Sequence, residues 1–268
     1  MLFQQPAESS YDLRFSMFGF PTRIAWTFWL VAALLGYDLA RFVDSIADRQ
    51  FAAGSPGTLP LLLIWAGCIA VSILIHELGH TLAFRRFGVD SSILLYHFGG
   101  LAIPLGARHP GRSAGRMSHG EELIVAAAGP AFQIGSAALL CVLVWAAGYR
   151  VTAFMFMPGP LAGIGERFGD LEFEHAATFA LVNFYVLPSI LWGLLNLVPV
   201  LPLDGGRIAQ SFILIGGGDP LQAKWLGVIT AAVIALYSFQ VGQLFLGIFF
   251  IWMGIDNYQS IQSGTRWR

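Results

Sequence analysis

Ile75-His76-Glu77-Leu78-Gly79-His80 sets two histidines four positions apart, with an acid directly after the first. On an α-helix, residues i and i+4 lie on one face. Both imidazoles can therefore reach one metal ion, while Glu77, about a quarter turn away, can hold a water beside it. The setting decides the fold. Residues 59–75, immediately upstream, are almost entirely apolar, so the motif is predicted to lie inside a membrane-spanning helix.

The composition agrees. Of 268 residues, 56% are hydrophobic and 12% charged, about half the charge of a soluble domain. Mean hydropathy is +0.66. The expectation is an all-α polytopic membrane protein. A net charge of −1 with no long run of like charges gives no footing for nucleic acid. Cys68 and Cys141 both fall in apolar runs and read as small buried hydrophobes, not as a disulfide framework.

A span takes about 20 apolar residues. Residues 24–40, 59–84, 123–149 and 179–198 qualify, and the stretch 226–256 is divided into two helices at its most polar point, Gln240-Val241-Gly242-Gln243. Six spans result. Residues 11–17 alternate with strand period, and residues 91–98 followed by Gly99-Gly100 predict a small membrane-associated β-hairpin after the second span. In the third span, Ala127, Ala131 and Gly135 share a face that would let another helix approach closely. With six spans, most arginines fall on one side: Arg14, Arg23, Arg85, Arg86, Arg108, Arg112, Arg116, Arg207, Arg266 and Arg268, joined by Lys224. The positive-inside rule puts that side, both termini and the His76–His80 end in the cytoplasm of a cell with this chain in its bounding membrane.

A catalytic zinc takes three protein ligands and leaves one position for water. The other histidines, His97, His109, His119 and His175, lie in predicted loops or in the hairpin. Asp204 stands apart. It follows an apolar span, in a segment with Pro199, Pro202, Gly205 and Gly206 that is expected to be an unwound helix end. Irregular backbone at membrane depth is tolerated where it is packed in protein or lines a wet cavity.

Together, His76-Glu77-Leu78-Gly79-His80 and Asn196-x-x-Pro199-x-x-Pro202-Leu203-Asp204-Gly205 resemble the site-2 protease family of intramembrane zinc metalloproteases. Phe98-Gly99-Gly100-Leu101-Ala102 and Gly129-Pro130 resemble what that family carries between the two motifs. The resemblance covers roughly residues 59–210. It implies one zinc ion per chain held by His76, His80 and Asp204, with Glu77 as catalytic base and Asn196 contacting substrate. It further implies hydrolysis of peptide bonds in single-span membrane proteins or peptides within or near the bilayer. The chain resembles the minimal branch, without a PDZ or C-terminal regulatory domain. One integral-membrane protease domain over residues 1–268 is expected, with its catalytic core at about 59–215. Residues 91–98 are a candidate for binding an unwound substrate by strand addition. Two other classes compete: a divalent-metal transporter, which has no need of Glu77, and an inactive family member acting as a membrane binding module. Oligomeric state is not legible.

Overall fold

The computed structural model describes residues 6–97, 99–107, 117–157, 159–164 and 168–262. Arg108, His109, Arg112, Arg116, Arg167, Arg266 and Arg268, and Phe98 of the expected hairpin turn, lie outside them. The order is β1 (Leu13–Met17), β2 (Phe20–Ile24), α1 (Trp26–Gln50), α2 (Thr58–Arg86), β3 (Val89–Tyr96), β4 (Gly99–Ala107), α3 (His119–Ala146), α4 (Ala176–Asn196), α5 (Asp204–Ile215), α6 (Pro220–Gln240) and α7 (Leu244–Gln262). Two short 3-10 turns, Thr152–Phe156 and Gly159–Ile164, fill the connection from α3 to α4.

Among the described residues, five helices, α2, α3, α4, α6 and α7, are long and apolar enough to cross a membrane. The division of residues 226–256 holds, with a turn between Gln240 and Leu244. The expected first span falls outside this set. Its helix, α1, runs on past residue 40 to Gln50 and gathers Asp38, Arg41, Asp44, Asp48 and Arg49.

Helix α2 is central, touching α1, α3, α4, β3 and β4. Its contact with α1 is pinned by the Trp65 indole, which donates to the Ala32 carbonyl at 2.9 Å. Its contact with α3 is a backbone approach. A Cβ on Gly79 would lie 2.5 Å from the Ala128 carbonyl oxygen and 3.1 Å from Gly129 Cα, so only glycine fits. At its last turn the Arg85 guanidinium sits 3.7 Å over the Phe20 ring centroid and donates to the Phe18 carbonyl. That ties the end of α2 to the β1–β2 hairpin.

The four strands form one sheet in the order β1-β2-β3-β4. Strands β2 and β3 pair in parallel, the other neighbours antiparallel. This corrects the strand-addition expectation. Residues 91–96 belong to β3, which pairs with β4 on one side and, over Ile93–Leu95, with β2 on the other, so among the described residues the outer strands of the sheet are β1 and β4.

Ser118 caps α3 with Glu121 in a reciprocal capping box, which starts the helix at His119, ahead of the expected residue 123. The face of α3 that packs is also not the expected one. Ala131 and Gly135 are exposed, whereas Ala126, Gly129, Gln133 and Ala137 are buried. After α4 the chain makes an irregular turn over residues 197–203, and Asp204 opens the new helix α5. Gly205 is required there, because a Cβ would collide with the Leu197 carbonyl. Helix α5 packs on α3 and α6. Val200 and Leu203 of the turn are buried with Ala231, Ala235, Phe250 and Met253 of α6 and α7. Asn257 of α7 donates its amide to the Leu201 carbonyl at 2.6 Å.

Candidate metal centre

His76, Glu77, His80 and Asp204 are all buried. His76 and His80 face α3 and α5 from one side of α2. His76 Nε2 lies 3.1 Å from His80 Nε2 and 3.0 Å from Asp204 Oδ2, and His80 Nε2 lies 3.3 Å from the same oxygen. The ligating atoms of His76, Glu77 and His80 lie within 4.8 Å of one another. Two expected ligands from α2 and one from α5 thus meet at a point, 128 residues apart in the chain.

The outer nitrogens of the rings explain what that point requires. His76 Nδ1 bonds Gln133 Oε1 at 2.9 Å, and His80 Nδ1 bonds the Val125 carbonyl at 2.7 Å. Both partners are oxygens that only accept, so each Nδ1 carries a ring proton. In the neutral ring each Nε2 then presents a bare lone pair. Two such nitrogens and a carboxylate oxygen converge, an arrangement that requires a proton or a metal cation among them. A tetrahedral ion with bonds of 2.0–2.2 Å separates its ligands by about 3.3–3.6 Å. The edges of the observed triangle approach that range, and the donor set of two imidazoles and one carboxylate suits zinc. The residues present fit the metal.

Two glycines make the room. A Cβ on Gly129 would overlap His80 Nε2 and come within 2.8 Å of His76 Nε2. A Cβ on Gly100, in β4, would overlap the Glu77 carboxylate. The sheet therefore passes directly beside the acid.

The remaining expected residues are placed apart or less directly. Asn196, buried at the end of α4, donates its Nδ2 to the Trp192 carbonyl at 3.0 Å. His97 follows β3 near Thr27, His119 is exposed at the start of α3 beside Glu122, and His175 precedes α4. None of these histidines joins the cluster. Sequence reasoning missed Gln133, Ser72 and Ser189, which lie behind His76. The available signal was a polar residue inside an otherwise apolar span, and for Ser72 its position one turn before His76.

The comparisons agree with the motifs. The family model described as Peptidase family M50 matches residues 64–239. The chain is similar to Rip3 of Mycobacterium tuberculosis, 27% identical over 232 residues, which are 84% of this chain and 49% of that protein. It is similar to sll0528 of Synechocystis sp., 29% identical over 204 residues, 74% of this chain and 43% of that protein. Both carry the name zinc metalloprotease. The chain spans about half the length of the curated relatives it matches. Among solved structures, a site-2 protease from Methanocaldococcus jannaschii aligns at 20% identity and a TM-score of 0.46, over 94% of this chain and 95% of that one.

Proposed function

The chain belongs to peptidase family M50, and from that premise we propose that it is an intramembrane zinc metalloprotease. It is a multi-pass membrane protein, and its substrates are membrane-spanning proteins or peptides cut within or near the bilayer. The observation that carries this reading is the meeting of His76 Nε2, His80 Nε2 and Asp204 Oδ2 with both Nδ1 protons already spent on carbonyl oxygens.

His76, His80 and Asp204 would hold one zinc ion, which when bound supplies Lewis acidity for hydrolysis at neutral pH. Glu77 takes the proton of the attacking water and returns it to the leaving amine. Its carboxylate is held close to both imidazoles, within the same turn of α2. Gln133 and Val125 keep the two rings in the tautomer that leaves Nε2 free. Asn196 is assigned a contact with the substrate.

A substrate helix has its amides bonded internally and must unwind before it is cut. The free edge of β4 is the place to receive it. Gly100 brings that strand against Glu77, and main-chain bonds from an added strand would hold an extended segment there. The catalytic core is assigned to residues 59–215 of a single membrane domain. The arginine distribution supports a plasma-membrane orientation with the site toward the cytoplasm, and both termini share that side only where α1 crosses as a sixth span.

The test uses the full chain purified in detergent with a membrane-spanning reporter peptide. Cleavage should stop on chelation and resume with zinc. Glu77→Gln should retain one zinc and lose cleavage, whereas Asp204→Ala should lose zinc. Cleavage by Glu77→Gln at the wild-type rate would sink the assignment, as would a wild-type chain that binds no zinc.

A further inference from the structure

We propose that Gln133, Ser72 and Ser189 form a one-way hydrogen-bonded relay that fixes His76 as a metal ligand. The inference rests on the metal-site reading above and deepens it by naming positioning residues for one ligand.

The relay crosses three helices. His76 Nδ1 meets Gln133 Oε1 at 2.9 Å, Gln133 Nε2 meets Ser72 Oγ at 2.9 Å, and Ser72 Oγ meets Ser189 Oγ at 2.8 Å. Ser189 Oγ ends the series on the Tyr185 carbonyl at 2.6 Å. Gln133, Ser72 and Ser189 are each 0% exposed. The direction follows from the last link. The Tyr185 carbonyl only accepts, so Ser189 must donate its single proton there. Ser72 then donates to Ser189 and has only lone pairs left for Gln133. Gln133 must therefore turn its NH₂ toward Ser72 and its carbonyl oxygen toward His76.

Reversing the amide would leave one of these buried contacts without a proton. His76 is thus obliged to carry a proton on Nδ1, and in its neutral form leaves Nε2 bare toward Asp204 and His80. The two ligands of α2 are consequently anchored by different means. His80 is held by a main-chain carbonyl that any sequence supplies. His76 depends on three particular side chains, and α4, which supplies no metal ligand, takes part in setting the site.

The experiment uses the full chain in detergent. Zinc affinity is measured by competition with a chelator of known strength, and the His76 tautomer is read from ¹⁵N shifts of the metal-free protein. Gln133→Leu should bind one zinc about 10–100-fold more weakly than wild type, the usual loss when a ligand's outer partner is removed. It should also show a mixture of His76 tautomers. Gln133→Glu keeps an acceptor for Nδ1–H but turns the Ser72 hydroxyl around and breaks the Ser72–Ser189 link. It should recover zinc affinity while unfolding at a lower temperature than wild type. That separation of affinity from stability is not expected of a residue that merely packs, and it keeps the test decisive if Gln133→Leu fails to fold. Wild-type zinc binding together with unchanged affinity in Gln133→Leu overturns the relay and leaves the metal site standing. Failure of Gln133→Glu to recover affinity also overturns it. A wild-type chain that binds no zinc overturns the metal-site reading itself, and the relay with it.

Discussion

Gly129→Ala adds one methyl group where α3 passes against the proposed metal ligands His76 and His80. The new Cβ would lie 2.8 Å from His76 Nε2 and overlap His80 Nε2 and Cε1, where non-bonded heavy atoms need roughly 3.5 Å. Neither ring can retreat without giving up its Nδ1 bond to Gln133 or Val125. Nor can α3 move off freely, because Gly79 holds the two helix backbones in contact. Overpacking of this kind costs roughly 1–3 kcal/mol. Loss of a ring's outer bond weakens metal binding by about 10–100-fold. Gly129→Ala should therefore bind zinc at least about tenfold more weakly and unfold at a lower temperature. Gly135→Ala on the same helix is the control. Its Cβ meets nothing within 4 Å, so affinity should be unchanged, and stability should rise by roughly 0.5–1 kcal/mol from the helical Gly-to-Ala exchange. Chelator competition and thermal unfolding of the detergent-solubilised chain read both. Wild-type affinity in Gly129→Ala, or equal losses in the two variants, would refute the reasoning.

Three further outcomes are expected. Gly100→Ala pushes β4 into the Glu77 carboxylate and should slow cleavage by roughly 100-fold with zinc content unchanged; loss of zinc instead would place Gly100 against the ligands. Asn257→Leu strips the buried Leu201 carbonyl of its donor and should cost about 1–3 kcal/mol in denaturant unfolding, with a neutral result excluding Asn257 as the clamp on the turn. Asp12→Asn bears on acid stability. Burial opposes charge on Asp12, but the Ser9 and Trp26 amides and Arg23 outweigh it and hold its carboxyl below the usual range. A depressed folded value stabilises the fold above about pH 4 and loses that effect as pH falls through it. Unfolding curves between pH 2 and 5 should thus be flatter for Asp12→Asn, and parallel curves would show that Asp12 contributes nothing.

The candidate site was legible because the chemistry proposed for it needs rare residue types at fixed spacings. His76, Glu77 and His80 declare a helix face, and Asp204 is marked out by the prolines and glycines around it. Helix ends were legible where polar residues interrupt apolar runs, as at Gln240–Gln243. The packed face of α3 was not. In lipid, the outward side of a helix is as apolar as the inward side, so periodicity no longer separates them. Gly135 is as small as Gly129 and Ala131 only one methyl group larger, yet only Gly129 is buried against the proposed ligands. The sheet order was also hidden. Strand alternation at residues 11–17 and 91–98 is local, whereas the parallel pairing of β2 with β3 joins Thr22 to Ile93 across the whole of α1 and α2. For that reason β3 read as a free strand and proved to be an interior one.

Helices α6 and α7 supply none of the proposed ligands, yet the geometry makes them part of the candidate centre. Asp204 is the first residue of α5, and its position depends on the turn that delivers it. That turn is held from below by α7, through Asn257 on the Leu201 carbonyl, and from the side by the burial of Val200 and Leu203 among α6 and α7 residues. His76 and His80 are held from the other direction, by α3 and, through Ser72 and Ser189, by α4. Helix α5 packs on α3 and α6, so the ligand pair on α2 and the carboxylate on α5 are supported by separate frameworks that share α3. Three electron-rich atoms brought together by two such frameworks would drift apart if either relaxed. Tight placement of the triangle therefore needs both at once, and this is why side chains as distant in sequence as Ser72 and Asn257 bear on the same few ångströms.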